Sequence, residues 1–127
     1  MTEAGAPGTG ASGGRESAVT GVDRRDEAVV LSLAGELDLY NAEEVRAALL
    51  DASTGEPKVL VVDLEEVTFI DSTALGVLIE ARTRMANRKG FLLAAPGLET
   101  RRALEVSGLD KHFAVHESLN DALSASV

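Results

Sequence analysis

The chain has 127 residues, enough for one core and one domain, and its lack of cysteine excludes disulfides, thiol chemistry and thiolate metal sites. Twelve basic residues against 21 acidic ones give a net charge of −9, which repels nucleic acid and anionic lipid and favours a basic protein partner. With no tryptophan, one tyrosine and three phenylalanines there is no aromatic platform for stacked bases, and two histidines, His112 and His116, are too few for a histidine-rich metal site.

Residues 1–17 are rich in Gly, Ala, Ser and Thr with almost nothing large and apolar, so they read as a flexible tail ahead of a single domain over 18–127. They carry no basic opening and apolar run of signal-peptide type, and no stretch approaches the roughly 20 apolar residues of a membrane span, so no membrane contact is expected and the cytoplasm is the default compartment. A short strand near Val19 to Val22, a hairpin connection over Asp23 to Glu27 and a strand over Val29 to Leu33 come next. Asn41 then has the chemistry of a helix cap, with Glu44 at capping-box spacing. Val45, Ala48, Leu49 and Ala52 repeat on one helical face until Gly55 and Pro57.

Val59 to Leu64 is nearly continuously apolar, as a strand covered on both faces requires, and Glu65 and Glu66 read as solvated loop charges. A helix from Ser72 to Arg88 stops near Gly90, and Phe91 to Ala95 is the next strand, so strand, helix and strand form a right-handed parallel crossover. Beyond Pro96 and Gly97 a helix runs to Ser107, with Gly108 and Leu109 as its glycine stop. A strand near Phe113 to Val115 and a helix opened by Ser118, with Asp121 three residues on, complete the pattern. The sum is an α/β domain with a mixed, mostly parallel sheet of about five strands and about four helices.

The helix beginning at Ser72 carries Ala74, Val77, Leu78, Ala81 and Met85 on one stripe, its core face. The opposite side presents Ser72, Gly76 and Thr83, and beside them Leu75, Ile79 and Ala86 form a second apolar strip that the core does not explain. Gly76 sharpens this, because glycine inside a helix costs about 1 kcal/mol relative to alanine. Either a partner's backbone approaches there, or the glycine relieves a clash with a loop of its own domain. Ser72 has a structural explanation too, since Asp71 or Ser72 can serve as the N-cap of this helix.

The segment Val67 to Gly76, VTFIDSTALG, follows VLVVDLEE and resembles the phosphorylation-site signature of the STAS family in its anti-sigma factor antagonist branch. Gly35 to Asp38, GELD, is similar to that family's other recurring motif, and the resemblance spans about residues 18 to 125. It implies a single STAS-like domain acting as a partner switch without catalytic residues, metal or cofactor. The unphosphorylated protein would bind an anti-sigma factor that is a serine kinase, releasing the sigma factor for transcription. Phosphorylation would end the complex, and a serine phosphatase of the metal-dependent class would reset it.

Carried over by position, Ser72 becomes the phosphoacceptor, paired with Asp71, and Asp38 lies next to the kinase contact surface; with the outer strip of the helix added, Asp38, Asp71, Ser72, Leu75, Gly76 and Ile79 are the expected partner contact. The chain departs from the signature at Thr73 and Ala74, where many members have serine and then glycine, which leaves Thr73 as the alternative acceptor. A STAS scaffold or transport-associated subunit that never uses Ser72 chemically is the competing function. Asp63 at a strand end also suits a receiver's phosphoaspartate, but the acidic pair and placed lysine of a receiver are missing, the only lysines being Lys58, Lys89 and Lys111.

Overall fold

The computed structural model describes residues 16–125. The expected tail, residues 1–17, therefore lies outside the described residues except for Glu16 and Ser17. Nine regular elements follow in chain order: β1 (Val19–Arg25), β2 (Ala28–Leu37), α1 (Ala42–Ala52), β3 (Val59–Ile70), α2 (Ser72–Arg84), β4 (Phe91–Ala94), α3 (Leu98–Ser107), β5 (Ala114–His116) and α4 (Leu119–Ala125). Short 3₁₀ turns over Arg88–Gly90 and Leu109–Lys111 bridge α2 to β4 and α3 to β5.

The strands lie in sequence order across one sheet, with β1 antiparallel to β2 and every other pair parallel. This is the mixed, mostly parallel sheet that the alternation of apolar strands and amphipathic helices implies. The hairpin is tighter than expected, since only Asp26 and Glu27 turn between β1 and β2, with Asp26 in the left-handed region at φ 41°.

Alternation within the strands divides the interior in two. Val29, Leu31 and Leu33 of β2, Leu60, Val62 and Leu64 of β3, and Phe91 and Leu93 of β4 point to the face where Val45 and Leu49 of α1, Val77 and Leu78 of α2 and Leu104 of α3 meet them. Phe113 joins this core, its ring centroid 5.9 Å from that of Phe91. The other face is smaller. There Val30, Val61, Leu92 and Ala94 pack with Ala122 of α4, flanked by Leu119 and Leu123.

Several boundaries differ from the sequence expectation: β1 runs on to Arg25 and β2 to Leu37, while β4 stops at Ala94. β3 continues through Glu65 and Glu66 to Ile70, paired with β2 in an irregular register, so these acids are exposed strand residues and not loop charges. α2 stops at Arg84 and not at Arg88, because Met85 adopts an extended conformation and is buried in the larger core. β5 sits one residue later than expected, at Ala114–His116.

The end of α3 follows expectation, with Gly108 left-handed at φ 79° and its N–H bonded to the carbonyl of Glu105. Ser118 also caps as expected, its hydroxyl accepting from the N–H of Asp121 at 3.0 Å.

Candidate functional site

The two motif segments meet where the parallel strands end. Leu37 and Ile70 are paired at the ends of β2 and β3, and the N–H of Asp71 donates to the carbonyl of Leu37 at 3.0 Å. Loops leaving adjacent parallel strands at this edge are where open α/β sheets place their functional groups.

Asp71 is the N-cap of α2. Its backbone is extended, and Oδ1 accepts from the N–H of Ala74 at 3.0 Å. Its other oxygen, Oδ2, accepts from the N–H of Leu39 at 3.1 Å, so one carboxylate joins the start of α2 to the loop after β2.

That loop is braced internally. Asp38 Oδ1 accepts from the N–H of Tyr40 at 3.0 Å, and Asn41 Oδ1 accepts from the N–H of Asp38 at 2.9 Å. Asn41 Nδ2 donates to the carbonyl of Glu36 at 2.7 Å. The expected capping box at α1 is therefore absent: the Asn41 side chain is spent on the loop behind it and makes no cap bond. Glu44 turns instead to the domain's N-terminal side, accepting from the N–H of Ala18 at 3.2 Å and from the Ser17 hydroxyl.

With Asp71 as cap, Ser72 is the first residue of α2, exposed, and its hydroxyl has no hydrogen-bond partner among the described residues. Thr73 is exposed as well, so accessibility does not separate the two hydroxyls. Gly76 also faces outward, and a Cβ built on it would meet nothing within 4 Å. The explanation by a clash within the domain is thereby removed.

The expected second apolar strip is only partly formed. Ile79 is 40% exposed, but Leu75 is 6% exposed and belongs to the larger core, because the buried arc of α2 is wide enough to take the flank beside Ala74 and Leu78. Leu75 is therefore not an exposed contact in this conformation. Ala86, beyond the end of α2, is not on the helix at all.

The sequence reading missed three exposed apolar residues around this edge: Leu39 at 65%, Tyr40 at 83% and Phe69 at 48%. Leu39 and Tyr40 directly follow the GELD motif in the loop held by Asp71, and Phe69 lies two residues before Asp71. The available signal was a polar motif followed at once by two large apolar residues, outside any amphipathic period. The charged residues of the two motif segments, Glu36, Asp38 and Asp71, are acidic, which suits a basic partner.

Among the described residues no group of three or more His, Asp or Glu is arranged to hold a metal. The far part of α2 is bound into the domain by charge. Arg46 Nε donates to Glu80 Oε1 at 3.0 Å and Arg84 to Glu80 Oε2 at 2.7 Å. The bond from Arg46, aided by the charges of both arginines and opposed by partial desolvation, holds the Glu80 carboxyl below the ordinary carboxylate range. Glu27, in the same way, raises the Lys58 ammonium above the usual lysine value, first by its hydrogen bond and then by its charge.

A family model for the STAS domain matches residues 21–122. The chain belongs to the STAS domain family. It is 36% identical over 95 residues to the anti-sigma-F factor antagonist RsfB of Mycobacterium tuberculosis, covering 75% of this chain and 78% of RsfB. To the anti-sigma-B factor antagonist of Listeria monocytogenes it is 37% identical over 89 residues, 68% of this chain and 77% of that one. Among solved structures, an anti-sigma factor antagonist from Mycobacterium paratuberculosis superposes with a TM-score of 0.80 at 33% identity, covering 88% of this chain and 97% of that one.

No helix among the described residues is long and apolar enough to cross a membrane.

Proposed function

We propose that this STAS protein is an anti-sigma factor antagonist, a binding switch and not an enzyme, controlled by phosphorylation of Ser72. The unphosphorylated form binds an anti-sigma factor that is a serine kinase, so that the sigma factor is released. The kinase then transfers the terminal phosphoryl group of ATP to Ser72 Oγ, and the complex separates. A metal-dependent serine phosphatase restores the binding form.

The observation that carries this reading is the cap of α2. Asp71 fills that role, so helix capping no longer accounts for Ser72, whose hydroxyl is exposed at the joint between the two motifs. The antagonist names borne by the relatives, RsfB among them, support the same reading.

The chemistry favours loss of binding over loss of fold. A phosphate adds about −1.5 to −2 charges at a helix N-terminus, where anions are favoured by about 0.3 to 1 kcal/mol. Burying the same charge under a partner without matched cations costs several kcal/mol, and each ~1.4 kcal/mol is a factor of ten in affinity.

Partner capture from a lysate of the source organism, with wild type, Ser72→Ala and Ser72→Asp in parallel and mass-spectrometric identification, tests the reading. A small ATP-binding kinase retained by wild type and Ser72→Ala but lost with Ser72→Asp is the expected result. The same assembly on all three would reject the switch in favour of a scaffold or transport-associated subunit. Phosphosite mapping of the kinase-treated protein, repeated on Thr73→Val, distinguishes Ser72 from Thr73.

A further inference from the structure

The Asp71 carboxylate serves two segments far apart in sequence. One oxygen holds the N–H of Ala74 inside α2, and the other holds the N–H of Leu39 in the loop after β2. A cap needs only the first of these bonds. The second fixes the segment carrying Leu39 and Tyr40, two of the three exposed apolar residues at this edge, to the residue before Ser72. Both residues are largely exposed, and the backbone N–H of each is held by a carboxylate, Leu39 by Asp71 and Tyr40 by Asp38, beside the Asn41 bonds that brace the same loop.

We infer that Asp71 is a positioning residue that locks the Leu39–Tyr40 loop to the start of α2, so that the anti-sigma factor kinase meets the loop and Ser72 as one preformed surface. This rests on the function proposed above and revises the role of Asp71 within it. Each oxygen of Asp71 already accepts a bond from its own chain, so its first task is to hold the contact surface together. Leu39 and Tyr40 become the apolar anchor of that surface. Prior ordering of such a loop raises affinity by removing an ordering cost from the binding step.

Asparagine separates the two tasks. Its Oδ1 replaces one carboxylate oxygen and its Nδ2, a donor, replaces the other, so in the observed geometry it accepts from Ala74 or from Leu39 but not both, and asparagine is as good an N-cap as aspartate. The experiment compares full-length wild type, Asp71→Asn and Asp71→Ala by residue-resolved amide hydrogen exchange and by retention of the kinase that the wild type captures. In Asp71→Asn, exchange at Leu39 is expected to rise about tenfold or more while Ala74 stays within about twofold of wild type. In Asp71→Ala both amides are expected to lose protection.

Kinase retention is expected to fall about tenfold in Asp71→Asn, with the loss persisting at about 0.5 M salt, where the mere removal of an exposed charge is screened. Tyr40→Ala, which leaves both Asp71 bonds in place, is expected to lose retention without faster exchange at Ala74. Unchanged exchange at Leu39 in Asp71→Asn overturns the inference, as does a loosened loop with undiminished kinase retention. A wild type that captures no kinase rejects the proposed function, whereas the exchange experiment decides the Asp71 tie without any partner.

Discussion

The two sides of α2 follow different rules. On the inner side Ala74, Leu75, Val77 and Leu78 are all buried, and Met85 closes the row where the helix ends. On the outer side stand Ser72, Thr73, Gly76, Ile79 and Thr83, exposed and mostly small or hydroxylated. The inner row is dictated by the sheet it covers. Nothing in the domain requires the outer row, since Gly76 faces open space and Ser72 has been relieved of capping by Asp71. A helix side that is costly in intrinsic stability and unexplained by its own fold is where selection by a partner is read most clearly.

The sharpest way to break the contrast is to truncate neighbours on opposite sides. Leu78→Ala is expected to lower unfolding stability by about 2–5 kcal/mol in chemical denaturation, since it opens a cavity in the core. Ile79→Ala, one position on, is expected to cost less than about 1 kcal/mol and to act mainly on partner binding. Equal losses of stability would mean that the outer side is structural after all.

Next in size is Ser72→Asp, expected under the proposed function to weaken capture of the proposed kinase partner by about a hundredfold while leaving the unfolding midpoint near that of wild type. Titration with the purified kinase reads the first, and a thermal melt the second.

Gly76→Ala sharpens the comparison because its two effects should have opposite signs. The helix gains about 1 kcal/mol in stability, as alanine replaces glycine with nothing near the new methyl group. Kinase affinity should fall if a partner's backbone approaches there. A variant stabilised with undiminished affinity would deny Gly76 a place in the contact.

Smallest is the charge cluster on the flank of the same helix. The Glu80 carboxyl is held below its ordinary range by Arg46, with Arg84 assisting, so it binds protons less readily folded than unfolded. Its stabilising contribution is therefore present above the unfolded carboxylate range and is lost as pH falls through the lower, folded value. Wild type and Glu80→Gln should differ in melting temperature at neutral pH and converge on acidification. A gap that widens toward acid would contradict the ion pairs.

Much of this architecture was legible because it is repetitive. The apolar runs of β2, β3 and β4, the stripe on α1 and the glycine after α3 each follow from local pattern, and the mixed, mostly parallel sheet follows from their succession. What was not legible depended on choices between chemically equivalent groups. Asn41 and Asp71 both suit a cap, but only Asp71 is turned toward its helix, while Asn41 braces the loop after β2. Glu65 and Glu66 look like loop residues, yet pairing with β2 keeps that segment extended to Ile70.

At the site, the motifs pointed to Ser72 and Asp38, which the fold brings to the same end of the sheet, and helical spacing set Gly76 and Ile79 on the outer side of α2, where both are exposed. Spacing alone could not decide Leu75, whose fate depends on how wide an arc the core covers. Leu39 and Tyr40 escaped notice because loop residues carry no period.

The uneven cover of the sheet also bears on how the domain can be cut and fused. The face lined by Val30, Val61, Leu92 and Ala94 is closed by α4, which follows every strand it lies on in chain order. The sheet must therefore be complete before that face can be sealed. A fragment that stops before Leu119 keeps both motifs and the larger core, yet presents a bare aliphatic strip to its neighbours. Its fate would be sticking to other copies, and a fusion seeking the switch alone must carry those final turns of helix with it.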